Sequence, residues 1–142
     1  MTDPAYTMTL SELYGELKDS GKSDVEDHIS QIKSGFRFWI VLALIAVLTP
    51  IVALFFNPSG DSMDVWFQRA GSITVVFGLL AEIRASRIKL LSYADSRPFV
   101  YGPIYLKRKY SSKAKWADRG SLLVVILGTV IWGYGDLLCS LL

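Results

Sequence analysis

Four charged or amide side chains lie near the ends of apolar segments, where such groups are rare because burying them in a bilayer is costly. They are Gln68, Arg69, Glu82 and Asp136. A charge in a bilayer costs about 2.5–3.5 kcal/mol at the centre on insertion scales and less near the interface, so such groups pair, reach water or carry ions. We expect an ion pair between Arg69 and Asp136 that fixes the register of two helices. Glu82 would similarly face Arg119 or Arg37. Independent snorkelling to water and a proton or ion relay are the alternatives.

The other candidates for catalysis or metal binding stand alone. The single histidine, His28, has Asp24 and Asp27 nearby and could hold a weak metal, although a solvent-facing helix residue is the simpler interpretation. Cys139 is the only cysteine, which excludes an internal disulfide and a multi-thiolate metal site, and we expect it to fill apolar space. The sequence has no phosphate loop, no H-E-x-x-H pair and no nucleophile elbow. We therefore expect no enzyme activity, no cofactor and no metal.

The elements that carry these groups are apolar enough to cross a membrane. Phe38–Phe56 contains 19 consecutive uncharged residues, and a helix of about 20 residues spans a hydrocarbon core of about 30 Å. Two weaker apolar segments follow. The expected fold is an all-α membrane protein with three transmembrane helices, at about 36–56, 66–83 and 120–142. The second has only 12 uncharged residues, Ala70–Ala81, and is expected to pack against protein rather than lipid.

A row of small residues, Ala70, Thr74 and Gly78, follows one face of the second span. Such rows let helix backbones approach closely in lipid, where van der Waals packing rather than the hydrophobic effect holds helices together. Gly128 lies on the corresponding polar face of the third span. We predict helix association through these four residues.

Residues 1–35 are expected to form a short helical arm in the cytosol. Thr9-Leu-Ser-Glu12 and Ser23-Asp-Val-Glu26 both fit the capping box, in which a hydroxyl and a carboxylate satisfy free N–H groups at a helix start. Gly21 is expected to separate two short helices, at about 10–19 and 24–34. Apolar residues in the second recur at helical spacing and predict an amphipathic helix: Val25, Ile29, Ile32 and Phe36.

The segment 84–119 is strongly basic, with ten Lys or Arg against two Asp. It is expected to be a cytosolic loop on anionic lipid, where each cation contributes about 1 kcal/mol near the membrane surface. Its first part, residues 84–95, could instead extend the second helix beyond the bilayer. Its aromatic residues suit a membrane interface: Tyr101, Tyr105, Tyr110 and Trp116. The same residues could bind RNA by stacking and phosphate contacts, which is the less favoured alternative. The net charge of the chain is only +2, however, so nucleic acid is not an expected partner.

The distribution of Lys and Arg predicts the topology, because cytoplasmic loops are enriched in both. Lys33 and Arg37 precede the first span, the loop 57–65 has no basic residue, and none follows Gly120. The expected arrangement has the N-terminus and segment 84–119 inside, and the loop 57–65 and the C-terminus outside. The chain thus divides into an arm and a membrane domain, residues 1–35 and 36–142.

Two segments resemble parts of small, uncharacterised bacterial inner-membrane proteins. They are Trp66-Phe67-Gln68-Arg69-Ala70-Gly71 and Gly128-Thr129-Val130-Ile131-Trp132-Gly133-Tyr134-Gly135-Asp136. The resemblance implies a bacterial inner-membrane location and no activity. The residues that carry it are Trp66, Gln68, Arg69, Gly128, Trp132 and Asp136.

Two classes of function fit these features. The first is a non-enzymatic accessory, assembly or structural subunit whose helices pack with copies of itself or with another membrane protein. The second is an oligomeric pore or permeability effector. Three helices of one chain enclose no pore, so copies would have to line a lumen with the polar face of Gln68, Ser72 and Glu82. A membrane enzyme is a third possibility that no motif supports.

Overall fold

The computed structural model describes residues 7–57, 60, 62–93 and 101–140, without the side chains of 138–140. Within these ranges every element is an α-helix: α1 (Leu10–Gly15), α2 (Asp19–Phe55), α3 (Met63–Ser92) and α4 (Tyr101–Ser140). The predicted all-α class is confirmed. By length and composition, α2 and the Tyr101–Leu137 part of α4 could cross a membrane, whereas α3 is not among the candidates.

The N-terminal arm begins as predicted and then differs. Thr9 caps α1, because its Oγ1 accepts the N–H of Glu12 at 3.3 Å while the Glu12 carboxylate accepts the N–H of Thr9 at 2.7 Å. The predicted break at Gly21 is wrong, because α2 continues through it and through the second proposed capping box. Leu17 and Val25 flank Gly21 and are both buried. Their packing outweighs the roughly 1 kcal/mol that a glycine costs a helix relative to alanine.

The arm is packed into the rest of the chain. α2 runs without interruption across residue 35, where the arm was expected to end. Its predicted amphipathic face is confirmed, since Val25 and Ile32 are buried and Ile29 and Phe36 pack against the same core. That core joins all four helices, and its buried members are Leu13, Leu17, Val25, Ile32, Ile88, Ile104, Tyr105, Leu106, Tyr110 and Ala114.

The basic segment is mostly helical rather than a loop. α3 extends to Ser92 and α4 starts at Tyr101, while residues 94–100 lie outside the described part of the chain. The reason is the core just described, to which both helices contribute apolar side chains. We call this half of the molecule the stalk: α1, residues 19–37 of α2, 84–92 of α3 and 101–119 of α4.

The α2–α3 connection lies at the opposite end of the molecule. α2 ends at Phe55 and α3 begins at Met63, within the segment 57–65 that was expected to be a loop. Gly60 has a φ of 69°, a left-handed conformation that glycine adopts without steric cost. Residues 58, 59 and 61 are outside the described ranges.

Small residues at a seven-residue spacing form the contact between α3 and α4. All are buried or lie against the partner helix: Gly71, Gly78, Ala85 and Ser92 on α3, and Ala114, Ser121, Gly128 and Gly135 on α4. A seven-residue period is that of a supercoiled helix pair. The spacing places one small side chain at every second turn of each helix, so the two backbones meet along most of their shared length.

The contact is closest at Gly71. A Cβ atom built there would collide with the backbone nitrogen of Trp132, and one at Gly128 would lie 2.9 Å from that of Val75. Ala70 and Thr74 are 4% and 2% exposed at the same contact, and Gly78 faces Val125. The four residues proposed for helix packing therefore lie at, or directly beside, the interface of α3 with α4 within one chain.

Gly71→Ala is predicted to destabilise the folded chain by about 1–3 kcal/mol, the usual cost of overpacking a tight contact. The added methyl group would meet backbone, which cannot rotate away as a side chain can. Gly133→Ala is the matched control, because nothing lies within 4 Å of the Cβ position there. Thermal unfolding in detergent should show a lower midpoint for Gly71→Ala and an unchanged or higher one for Gly133→Ala. Equal midpoints would mean that the helices separate without cost.

Candidate functional site

At one level in the bundle the charged helix surface gives way to mostly uncharged surface. Trp39 Nε1 donates a hydrogen bond to Ser121 Oγ at 2.8 Å. The guanidinium carbon of Arg84 lies 4.7 Å from the ring centroid of Phe38. These contacts place the three helices in register, and we call this level the charge boundary. On each helix one charged residue borders the uncharged segment from the stalk side. These residues are Arg37 on α2, Glu82 on α3 and Arg119 on α4.

On one side of the charge boundary the helices expose large apolar side chains. On α2, Leu44 is 54% exposed and Phe55 is 84% exposed, and on α4 Leu123 and Leu127 are each 60% exposed. Soluble monomers rarely expose apolar patches of more than a few hundred Å². We call this surface the apolar belt. An apolar surrounding is the environment that stabilises it.

On the other side lies the basic surface of the stalk. Its exposed cations on α4 are Arg108, Lys109, Lys113, Lys115 and Arg119. Trp116, which is 78% exposed, lies among them about one turn from the charge boundary. Tryptophan next to cations suits the headgroup layer of a membrane, because the indole ring is apolar and its N–H is polar.

Polar contacts fix the stalk helices to one another. Lys89 Nζ lies 2.8 Å from Asp118 Oδ2 and joins α3 to α4. This hydrogen bond, with the attraction of the carboxylate, raises the pKa of Lys89 above its ordinary value of 10.5. Tyr14 donates to Glu26 at 2.7 Å and so joins α1 to α2. That bond raises the pKa of the Tyr14 phenol, because the neutral form is the donor.

The intramembrane polar residues predicted from the sequence occupy different environments. Gln68 is half-buried, and its backbone lies against Gly135, where an added Cβ would be 3.0 Å from the Gln68 Cα. Arg69 is exposed and lines an outer groove of about 410 Å³ together with Gln68 and Trp132. Glu82 is half-buried near the charge boundary, and Asp136 is exposed.

The contact of Gln68 with Gly135 brings the outer ends of α3 and α4 together, as the proposed pairing of Arg69 with Asp136 requires. The pairing itself stays a prediction. Ser72, also proposed to line a lumen, donates its hydroxyl to the carbonyl of Arg69 in its own helix.

Of the isolated candidates, His28 makes a local contact. His28 Nδ1 lies 2.7 Å from the carbonyl oxygen of Asp24 one turn earlier, a contact within the helix. In the described part of the chain no three His, Cys, Asp or Glu residues come together as a metal site. The side chain of Cys139 lies outside the described residues. Among described polar atoms, Trp66 Nε1 is buried without a hydrogen-bond partner, beside the apolar cluster of Ala53, Phe67 and Ala70.

Sequence reasoning missed Arg84, Lys89 and Asp118 as contact-forming residues. It assigned Asp118 to a loop and considered a helix only for residues 84–95, so contacts between two helices were not predicted. The seven-residue spacing of small residues from Gly71 to Ser92, and from Ala114 to Gly135, was the available signal. It predicts two helices packed over their full shared length.

These features define a class: an all-helical chain with a basic helical stalk and an apolar belt on one side of a charge boundary. No protein-family model matches the chain, and neither a curated protein nor a solved structure is similar to it. Its function must therefore be argued from its own residues.

Loss of the Lys89–Asp118 contact is predicted to change the alkaline stability of the stalk. Folding raises the pKa of Lys89, so its contribution is fully present below about pH 10.5 and is lost as the pH rises through the higher folded value. Melting midpoints measured from pH 8 to 12 (about the range in which lysine titrates) should fall more steeply for the native chain than for Asp118→Asn. Lys113→Gln, which removes an exposed lysine, is the control. Parallel curves for all three proteins would contradict the assignment.

Proposed function

We propose that this chain is a small integral membrane protein that crosses the bilayer three times and acts as a non-enzymatic accessory or structural subunit. The observation that carries the proposal is the charge boundary. Three helices change from charged to uncharged surface at one level, fixed by Trp39 with Ser121 and by Phe38 with Arg84. The headgroup layer of a bilayer imposes such a common level, whereas folding in water does not.

The polar composition of α3 is compatible with a third span. Its small-residue face lies against α4, so the stripe that lipid would solvate poorly is covered by protein. Arg69 and Glu82 flank the uncharged segment of α3, residues 70–81. They lie near the two ends of the proposed span, where long side chains reach water at modest cost. α3 would thus cross the bilayer while packed against α2 and α4.

The stalk supports a cytosolic location for the basic half. Ten of the 15 Lys and Arg residues lie within 84–119, and cytoplasmic segments next to spans are enriched in these residues. From Asp19 to Phe38, and from Tyr101 to Gly120, each helix advances about 30 Å at about 1.5 Å per residue. The stalk is therefore a stiff projection that presents a basic, aromatic surface at an anionic leaflet. The bacterial inner membrane is the proposed location, as the sequence resemblance implies.

The packing inside the bundle supports the accessory role. The small residues form contacts within the chain, and among the described residues no three His, Cys, Asp or Glu come together. What the molecule offers to other components is its outer surface: an apolar belt for lipid or partner helices and a basic stalk for anionic groups.

Labelling of single cysteines in a Cys139→Ser background tests the membrane placement. Ser62→Cys should react with a membrane-impermeant maleimide added outside the cell. Ser11→Cys and Lys113→Cys should react only after the membrane is opened, and a permeant maleimide controls for reactivity. All three positions are exposed. Failure of Ser62→Cys to react from outside, or outside labelling of Lys113→Cys, would contradict the proposed orientation. A C-terminal fusion located in the cytosol would contradict the third span.

Ectopic expression with a membrane-potential dye tests the accessory role against the pore. We expect the potential to stay at the level of cells that express Gly71→Ala, because the bundle interior is filled by helix contacts. Chemical crosslinking in the same cells reports the size of any assembly. Depolarisation that rises with the amount of a crosslinked oligomer would favour the pore instead.

A further inference from the structure

A groove between α2 and α3 crosses the charge boundary. Its larger part has a volume of about 660 Å³ and lies on the stalk side, where Ser30, Ser34 and Arg87 line it. Phe38 and Arg84 belong both to this part and to a smaller one of about 190 Å³. The smaller part continues toward the apolar belt between Leu42, Leu80 and Ile83. Arg84 and Arg87 line both parts, and most of the remaining lining is apolar on the stalk side as well, where Ser30, Gln31 and Ser34 add polar groups. Beyond the arginines the smaller part ends on Leu42, Leu80 and Ile83, which we call the apolar end.

We propose that this groove binds one anionic phospholipid, with the lipid phosphate between Arg84 and Arg87 and an acyl chain along the apolar end. The proposal rests on the membrane placement given above and adds a specific lipid site to it. The two arginines are three residues apart on α3 and so share one face of the helix. Guanidinium groups bind phosphate through two parallel N–H donors, a geometry that lysine does not provide.

The charges of the groove are unbalanced. Among the described residues that line it, Arg84 and Arg87 are the only charged ones and no carboxylate is present. Neither arginine forms a salt bridge with a described residue, in contrast to Lys89, whose charge is matched by Asp118. An anion in the groove would supply the missing negative charge.

The aromatic contact prepares one of the arginines for this role. Arg84 lies over the ring of Phe38 at 4.7 Å, which stabilises the cation from one face and limits the positions of its side chain. Serine hydroxyls across the groove, from Ser30 and Ser34, offer further donors to phosphate or glycerol oxygens. The depth also fits, because the arginines lie at the level where the helices change from apolar to charged surface.

The full-length protein, purified in detergent, tests the site by native mass spectrometry with phosphatidylglycerol and with phosphatidylcholine of the same acyl chains. We expect one phosphatidylglycerol retained per chain, in at least about tenfold preference over phosphatidylcholine. The double variant Arg84→Gln with Arg87→Gln should lose about tenfold of that retention, as two cations near anionic lipid imply. Lys113→Gln with Lys115→Gln removes the same charge from the exposed stalk surface and should retain the lipid.

Two further variants separate the lipid site from general effects. Ser34→Trp would fill the groove with both arginines intact and should also abolish retention. Arg87→Gln alone changes an exposed residue, so reduced retention with an unchanged melting midpoint would exclude unfolding as the cause. Equal retention by the arginine and lysine double variants would overturn the proposal, as would unchanged retention in Ser34→Trp.

Competition with inorganic phosphate distinguishes a lipid from a free anion. Retained phosphatidylglycerol that millimolar phosphate does not displace supports the lipid site, whereas displacement would show a site for the phosphate group alone and overturn it. Carbonate extraction of native membranes reports on the membrane placement separately. A chain that stays in the membrane but fails the arginine test leaves the proposed function standing. Release of the chain by carbonate would contradict both the membrane placement and the lipid site.

Discussion

The close approach of the α3 and α4 backbones is the constraint on which the rest of the structure depends. Each helix places a small residue at every seventh position along the contact, and at Gly71 the space left for a side chain is smaller than a methyl group. Between apolar helices in lipid, van der Waals contact supplies most of the attraction, and it falls steeply when the backbones separate. A pair held in this way has one favourable register. The positions of all polar groups on the two helices follow from that register.

The register determines where charge meets apolar surface. With Gly71 against Trp132 and Gly78 against Val125, the antiparallel course places Ala85 and Ser92 toward the start of α4, and Lys89 reaches Asp118. α2 joins at the same level, because Gly35 lies against Ile88 and the Trp39 indole bonds Ser121. No helix can shift by one turn without breaking these contacts. The charge boundary is therefore a property of the packed bundle and of no single helix.

The sequence predicted the parts of this arrangement that depend on local chemistry. The all-α class, the capping box at Thr9 and the amphipathic face of Val25 and Ile32 follow from spacing alone and are confirmed. The break at Gly21 was wrong because a propensity of about 1 kcal/mol is weaker than the burial of neighbouring apolar side chains. The helical state of residues 101–119 was missed, since the core residues Ile104–Leu106 pack against α1 and α2, which are distant in sequence. The groove beside Arg84 forms between α2 and α3, so the sequence of neither helix alone predicts it.

The packing also bears on the proposed role of the chain in a membrane. A pore needs a polar surface facing a lumen, yet the surfaces that the described helices turn outward within the apolar belt are mostly large aliphatic and aromatic side chains. The polar atoms available there are largely bonded within their own helices, as Thr49 is to Ile45 and Thr129 is to Val125. Polar groups satisfied in this way gain nothing from facing water, whereas unsatisfied ones in lipid would cost several kcal/mol each. The unbalanced charge of the bundle is concentrated instead on the stalk and in the groove at the charge boundary. These are the surfaces on which anionic lipid or an acidic partner gains most, and they favour an accessory role at the membrane surface over conduction through it.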